Sequence, residues 1–467
     1  MSARLHLGDC RELLADLADN SIDSIVTDPP YGLGKPPKAS EILGAWLEGN
    51  RANVAGGGVL GRDWDSFVPG PDIWAECLRV AKPGAFAIVF AGTRTLDWMS
   101  ISARLGGWRV RDCGVWSYYS GMPKALNVSA AIDKQRHDLP EVYKVTAWIR
   151  KARDAAGIKN KDIDQAFGFA GMAGHWTSLN SQPTVPTLDQ VAPLLQLLGD
   201  PDVPKEIARL LVELNGRKGE PGADWLARPL EGSHDTICRI EGWKQSFTGG
   251  EGRPAGEIRT EPTSEAAKRW AGWYTKVKPA WEPWLILQKK PEGTVADNIK
   301  KWGTGALNID ACRFKAGDDM WPGPQSEEHG SRWPANLVYV RKPSPAERDR
   351  GMDRIPPEEG QQIRPEAIRN NHPTLKPLAL MRWLVRLTTA PGGVCLDPFM
   401  GSGTTGAAAC GQGFDFIGAD LDPRYVAIAS ERIRHARPAV TVDTPKEAAD
   451  ILIEAKAPTL WGSNGGA

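Results

Sequence analysis

Two spacings of apolar residues run along this chain, and where each holds sets the architecture. Residues 4–7 read as a strand that stops at Gly8-Asp9-Cys10, residues 11–17 as a short helix, and residues 22–27 as a second strand centred on Ile25 and Val26. Strand, helix and strand in that order open a parallel α/β sheet. Through Arg62 the sequence is rich in Gly and Lys with little period, and is expected to be irregular and mobile. The rhythm then resumes with a helix over 73–81, a turn at Lys82-Pro83-Gly84, a strand over 85–90, a helix over 95–105 and a strand over 110–116. Between 145 and 199 only helical spacing is found, in segments 145–156, 160–167 and 187–198, with a Gly-Met-Ala-Gly turn among them. Residues 215–265, rich in Gly, Pro and charge, read as a linker or irregular lobe. A strand returns at 284–287, and 291–371 is Pro-, Gly- and Arg-rich with little regular pattern. The last block alternates again: helix 378–389, strand 393–399, helix 404–411, strand 414–419, helix 424–437. There is no internal repeat.

Composition narrows the class. A chain of 467 residues is long enough for two or three domains, and 41% apolar with 24% charged residues is ordinary for a soluble globular protein. The formal charge is zero, so contact with nucleic acid must come from local clusters. Seven cysteines without a CxxC pair argue against a disulfide framework or a zinc module. The amino terminus enters a strand at once, so no signal peptide is expected, and no apolar run approaches the roughly 18–20 residues of a membrane span. A soluble, cytoplasmic protein is expected. The helical stretch carries Arg150, Lys151, Arg153, Lys159 and Lys161. It is similar to a repressor-type helix-turn-helix, and a plain helical spacer accounts for it as well. In 341–371, seven basic residues face six acids, so basicity alone does not make that region a nucleic-acid surface. Several of the 19 tryptophans (Trp281, Trp284, Trp302, Trp321, Trp333) lie in loop-like sequence, where packing is the commoner use and ring stacking is open.

Chemistry concentrates at two strand ends. Ser24-Ile25-Val26-Thr27 runs into Asp28-Pro29-Pro30-Tyr31. The prolines end the strand, leaving one carboxylate and one ring on a stiff loop where open α/β sheets place ligands. The second constellation is Leu396-Asp397-Pro398-Phe399-Met400-Gly401-Ser402-Gly403-Thr404-Thr405-Gly406, a glycine turn between strand and helix. No lysine follows the second glycine, which excludes Walker A. Gly401, Gly403 and Gly406 satisfy G-x-G-x-x-G, and Asp420 stands at the end of the next strand, where an acid holds a ribose. The loop indicates a cofactor containing adenosine and does not say which one.

Together the two motifs resemble the DNA amino-methyltransferases that modify N6 of adenine or N4 of cytosine, in the permuted β-class order with the Pro-Pro-Tyr element first. Gly8-Asp9 opens the chain as in that family, and His372-Pro373-Thr374-Leu375-Lys376-Pro377 resembles the segment leading into its cofactor strand. Three further stretches resemble phage and prophage members: Ser120 to Asn127, Ala306-Leu307-Asn308-Ile309-Asp310 and Arg332-Trp333-Pro334-Ala335-Asn336. The likeness covers roughly 1–127 and 279–437. It implies a Rossmann-like, S-adenosylmethionine-dependent core of mostly parallel sheet, split as 1–127 and 372–437 with a returning strand at 279–290. Residues 128–278 become a mainly helical insertion, 291–371 a target-recognition region and 438–467 a tail. Double-stranded DNA is the implied partner, with no membrane; a second copy of the chain and a cognate restriction enzyme are further candidates, and the setting is a bacterial or phage-infected cytoplasm.

The implied chemistry suits the residues. An exocyclic base amine is a poor nucleophile because its lone pair is delocalised into the ring. The Asp28 carboxylate and the Pro29 carbonyl could each accept one amine hydrogen, localising the pair and stabilising positive charge on nitrogen. Pro30 stiffens the loop, and Tyr31 would stack on a base flipped out at a cost of a few kcal/mol. No cysteine stands beside Asp28, which argues against ring-carbon methylation. For S-adenosylmethionine the resemblance assigns Phe399, Gly401, Ser402, Gly403 and Thr404 to the methionine part, Asp397 to its amino group and Asp420 to the ribose. Asp9 and Cys10 go to the adenine end, and Thr374 and Lys376 to the pocket border. His372 reads as a structural turn residue. The Asp form of the tetrapeptide resembles the family's adenine-directed members, a Ser form being commoner among the cytosine-directed ones, so the resemblance implies adenine N6. An oxidoreductase using the glycine loop leaves Asp28 to Tyr31 unexplained. A DNA-binding regulator on a dead core leaves their intactness unexplained.

Overall fold

The computed structural model describes residues 2–34, 37–51, 65–118, 120, 125–133, 138–169, 171–180, 182–216, 230–233, 258–260, 262, 265–315, 320, 332–355, 369–372, 374–436 and 440–443. The chain divides into two compact units, Met1–Met122 with Pro279–Ala467, and Pro123–Lys278. The first runs β1 (Ala3–Leu7), α1 (Cys10–Asp16), β2 (Ile22–Thr27), α2 (Ala39–Leu47), α3 (Pro71–Val80), β3 (Ala81–Phe90), α4 (Leu96–Leu105) and β4 (Arg109–Ser117). The second unit holds α5 (Val128–Asp133), α6 (Leu139–Ala155), α7 (Asn160–Phe167), α8 (Met172–Trp176), α9 (Leu188–Leu197), α10 (Lys205–Gly216), β5 (Leu230–Ser233), β6 (Ile258–Thr260) and α11 (Glu265–Arg269). The first then resumes with β7 (Trp281–Gln288), α12 (Val295–Trp302), β8 (Leu337–Tyr339), α13 (Pro345–Asp349) and α14 (Leu378–Thr388). It closes with β9 (Val394–Asp397), α15 (Thr404–Cys410), β10 (Asp415–Asp420), α16 (Pro423–Ala436) and β11 (Val440–Asp443).

Nine strands of the first unit form one sheet in the order β11-β1-β10-β9-β2-β3-β7-β4-β8. Neighbours are parallel except at β7, which is antiparallel to both β3 and β4. Period-2 alternation sends Val26, Ile88 and Phe90 into the core under α14, α15 and α16, and Ile25, Ala87 and Val89 into the core under α1, α3 and α4. The unit is therefore a three-layer α/β sandwich with both sheet faces covered, as parallel strands require. Its four central parallel strands β1, β10, β9 and β2 end along one edge of the sheet. Asp9, Asp420, Asp397 and Asp28 stand at or just past those ends.

Three local expectations are corrected. Lys82-Pro83-Gly84 is not a turn before a strand; β3 runs through it with a register shift, since Ile22 pairs Ala81 while Ser24 pairs Phe86. Gly84 takes φ +80°, and a Cβ there would meet Asn298 Nδ2 at 2.4 Å. The displaced Pro83 carbonyl accepts from Asn298 Nδ2 (2.9 Å) and from the Thr304 hydroxyl (2.6 Å), which satisfies the bulge. The segment before Arg62 contains α2, whose Ile42 and Trp46 are buried; residues 52–64 lie outside the described set. The region 291–371 holds α12, β8 and α13 rather than irregular chain alone.

The second unit has its own core of Val142, Val145, Ile149, Ile163, Trp176, Leu194 and Leu210. Phe167 and Phe169 stack at 5.5 Å, and Trp176 packs edge-on against both. The expected Gly-Met-Ala-Gly turn carries the short helix α8. Of 215–265, most lies outside the described residues.

Candidate active site

The loop leaving β2 is pinned by three hydrogen bonds with two side chains. Asp65 Oδ1 accepts from the backbone N–H of Tyr31 (2.9 Å) and of Gly32 (3.0 Å), and the Thr95 hydroxyl donates to the Tyr31 carbonyl (2.6 Å). Gly32 takes φ +64°, where a Cβ would come within 2.9 Å of Phe67 Cα. With two prolines already fixing φ, Asp28 has little freedom.

Its carboxylate sits in a cluster of buried charge. Oδ1 accepts from the Tyr31 hydroxyl at 2.7 Å, and Oδ2 accepts from Lys376 Nζ. Glu282 Oε2 lies 3.3 Å from the same ammonium and 3.2 Å from the same hydroxyl. Lys376 is only 3% exposed and faces the rings of Tyr31 (5.3 Å) and Phe90 (5.0 Å). Two carboxylates share one buried ammonium, and the proton affinities of Asp28, Tyr31 and Lys376 all rise. Burial by itself would drive Lys376 neutral, but Asp28 and Glu282 outweigh it and hold the ammonium charged. Burial, helped by Glu282, pushes the Asp28 carboxyl above its ordinary range against the pull of Lys376. Burial and the two carboxylates push the Tyr31 phenol well above 10, so it remains a hydroxyl donor.

The glycine turn builds the neighbouring half. Gly403 caps α15 at φ +75°, with Ala429 Cβ 2.6 Å from where its own Cβ would be, and Gly406 similarly abuts Ile433 and Phe416. These two glycines serve helix packing. Arg432, 5% exposed, donates to the Ser402 carbonyl (2.7 Å) and to Thr404 Oγ1 (3.0 Å), bracing the turn from behind; burial lowers its pKa to about 10. Asp397 Oδ1 accepts from the Thr27 hydroxyl (2.6 Å) and the Phe399 N–H (3.1 Å), and burial pushes its carboxyl up to about 7. Asp420 is held by backbone alone: Oδ2 accepts from Gly401 N–H and Oδ1 from Asp422 N–H, both at 2.9 Å. Burial pushes it up to about 6.

Both halves line one cavity of about 580 Å³, a size suited to a small-molecule ligand. Asp28, Pro29, Pro30, Tyr31, Asp9, Cys10, Thr374, Lys376, Asp397, Phe399, Gly401, Ser402, Thr404 and Asp420 all line it. Gly403 does not, being turned toward Ala429. Asp9 also caps α1 and pairs with Arg11, and the Cys10 thiol is pushed up to about 12 by burial and by Asp9. Lys376 reaches Asp28 itself rather than only the border of the pocket. His372 stacks edge-on against Tyr425 at 4.6 Å. Sequence reasoning missed Glu282, Asp65 and Arg432, along with the apolar wall of Trp46 and Phe67. A lone acid in Trp281-Glu282-Pro283-Trp284 was the available signal for Glu282.

The DNA methylase family matches residues 252–431. The chain is 34% identical over 113 residues to the type II methyltransferase M.HinfI of Haemophilus influenzae, covering 22% of this chain and 29% of that one. It is 43% identical over 63 residues to the DNA adenine methyltransferase YhdJ of Escherichia coli K12, covering 14% and 21%. These matches span between a fifth and a third of the relatives' length. Among solved structures, the M1.HpyAVI–SAM complex aligns at TM-score 0.35 and 14% identity, over 92% of this chain and 98% of that one. The cytosine-N4-specific PvuII DNA methyltransferase aligns at 0.39 and 12% identity, over 98% and 93%.

Proposed function

We propose that this chain, which belongs to the DNA amino-methyltransferase family, transfers a methyl group from S-adenosylmethionine to the exocyclic amine of a flipped base in double-stranded DNA, with adenine N6 as the target atom. The observation that carries the reading is the single cavity lined by both Asp28-Pro29-Pro30-Tyr31 and the glycine turn.

The cavity suits a cationic cofactor. Its lining holds seven carboxylates (Asp9, Asp28, Asp65, Asp72, Asp397, Asp420, Asp422) against three cations, Arg11, Arg51 and Lys376. That balance favours a sulfonium and an amino group and disfavours the pyrophosphate of a dinucleotide, which weakens the oxidoreductase reading. Asp420, aimed by two backbone N–H groups, would hold the ribose hydroxyls. Phe399, Ser402 and Thr404 would border the methionine part, and Asp397 its amino group. When bound, S-adenosylmethionine supplies an electrophilic methyl for the base amine to attack. Asp28 and the Pro29 carbonyl would accept hydrogen bonds from the amine, localising the nitrogen lone pair and stabilising the charge it acquires as the methyl leaves a neutral thioether behind, and one amine proton is then lost to solvent. The Tyr31 hydroxyl and Lys376 fix the carboxylate plane so that this acceptor is preorganised.

Adenine is favoured by the Asp form of the tetrapeptide, and YhdJ, one of the chain's relatives, is named an adenine methyltransferase; N4 of cytosine is the second reading. Base readout is assigned to 291–371, between the two core halves in sequence. A chimera carrying another enzyme's 291–371 is expected to change its site preference. The reading as a whole is tested by incubating the protein with unmethylated DNA and labelled S-adenosylmethionine, then digesting to nucleosides for mass spectrometry. N6-methyladenine supports it, N4-methylcytosine overturns the base alone, and no methylated nucleoside overturns the function.

A further inference from the structure

β7 is the one antiparallel strand inside the described sheet, so its first residues arrive at the edge where its parallel neighbours end. Trp284 pairs Phe90 at the end of β3, and the Pro283 carbonyl accepts from Ala91 N–H (3.0 Å), which places Glu282 beside the exit of β2. There its carboxylate, 20% exposed, touches the two groups that hold Asp28: Lys376 at 3.3 Å and Tyr31 at 3.2 Å. From the side of β8, Lys342 approaches Glu282 Oε1 at 4.0 Å while resting 4.1 Å over the Tyr118 ring. The groups facing Glu282 are therefore Asp28, Tyr31, Lys376, Lys342 and Tyr118.

We propose that Glu282 is a positioning residue for methyl transfer, sharing the Lys376 ammonium and the Tyr31 hydroxyl so that Asp28 keeps the acceptor strength the base amine needs. The inference rests on the function proposed above. An ammonium and a phenol committed wholly to Asp28 would occupy a lone pair on each of its oxygens and neutralise its charge, weakening it as an acceptor for the amine. A second carboxylate at the same donors draws part of both away, while its own negative charge raises the basicity of Asp28. Nothing in the tetrapeptide itself supplies this balance.

The test is methyl transfer by wild type, Glu282→Gln and Glu282→Asp across pH, with calorimetric titration of S-adenosylmethionine into each. Glu282→Gln is expected to lower kcat by about tenfold or more, with cofactor affinity unchanged. The acid limb of its kcat profile is expected at lower pH, because Asp28 loses a like-charged neighbour. Glu282→Asp is expected to restore part of kcat and the wild-type limb. Wild-type kcat with an unmoved limb in Glu282→Gln would overturn the proposal, as would loss of cofactor binding in step with kcat, which marks a merely structural role. Should Glu282→Gln melt below the assay temperature, Glu282→Asp decides: a lowered kcat with intact cofactor affinity supports the proposal, and wild-type kcat overturns it. No transfer by wild type itself would sink the functional reading instead, so the two failures are distinguishable.

Discussion

Asp28 and Asp420 stand at the carboxyl ends of two parallel strands and face the same cavity, yet they are held by opposite means. Asp420 is fixed by backbone N–H groups from its own neighbourhood and from the glycine turn. Asp28 is fixed by side chains at positions 31 and 376, both shared with Glu282. A backbone cradle survives most side-chain changes and gives a constant geometry for a constant cofactor. A cluster of side-chain charges is sensitive to each member, and that sensitivity lets it set how basic the acceptor is.

The largest effect expected from breaking this contrast is at Lys376. Lys376→Met strands Asp28 and Glu282 together in a buried space, a loss of about 3–5 kcal/mol of stability for removing one side of a buried pair. Asp28 already has a folded pKa above its unfolded one, and losing the ammonium pushes it further, so the deficit is expected to grow as pH rises above the ordinary carboxylate range and to shrink in acid. Thermal melting across pH reads this. Asp28→Ala is next: kcat is expected to fall by about 10²–10³-fold, about 2.7–4 kcal/mol, in the labelled-methyl assay. Gly403→Ala attacks the backbone-held half, where a left-handed φ costs about 1–2 kcal/mol and crowding against Ala429 about 1–3 kcal/mol. Chemical denaturation should show a destabilised protein. Asp420→Asn has the smallest effect, a loss of cofactor affinity of about 1.5–3 kcal/mol, read by titration. In wild type that affinity should fall as pH drops through about 6, where Asp420 takes up a proton and becomes a weaker, neutral acceptor for a hydroxyl, and the Asn variant should lack this limb.

The same contrast explains what could be read from sequence. β2, with all six residues buried, ends where the prolines require it, and the glycine turn with Asp420 is a local pattern complete within one strand–turn–helix–strand unit. Local chemistry leaves local marks. Asp65 lacks such a mark and Glu282 carries only a faint one, a lone acid at the start of a strand, because their roles depend on an antiparallel strand joining the sheet after a long insertion and on a loop folding back over Tyr31. Arg432 looks like one more charge on an amphipathic helix until α16 packs against α15. The bulge at Pro83-Gly84 reads as a turn because its stabilising partners, Asn298 and Thr304, lie on a distant segment.

The central claim is that the charge-held end performs the transfer while the backbone-held end keeps the cofactor. Calorimetric titration of S-adenosylmethionine into Asp28→Ala protein tests it most directly. Affinity equal to wild type in a protein whose methyl transfer has fallen by about 10²–10³-fold is the expected result. Affinity lost together with activity would contradict the division and make Asp28 part of the cofactor site.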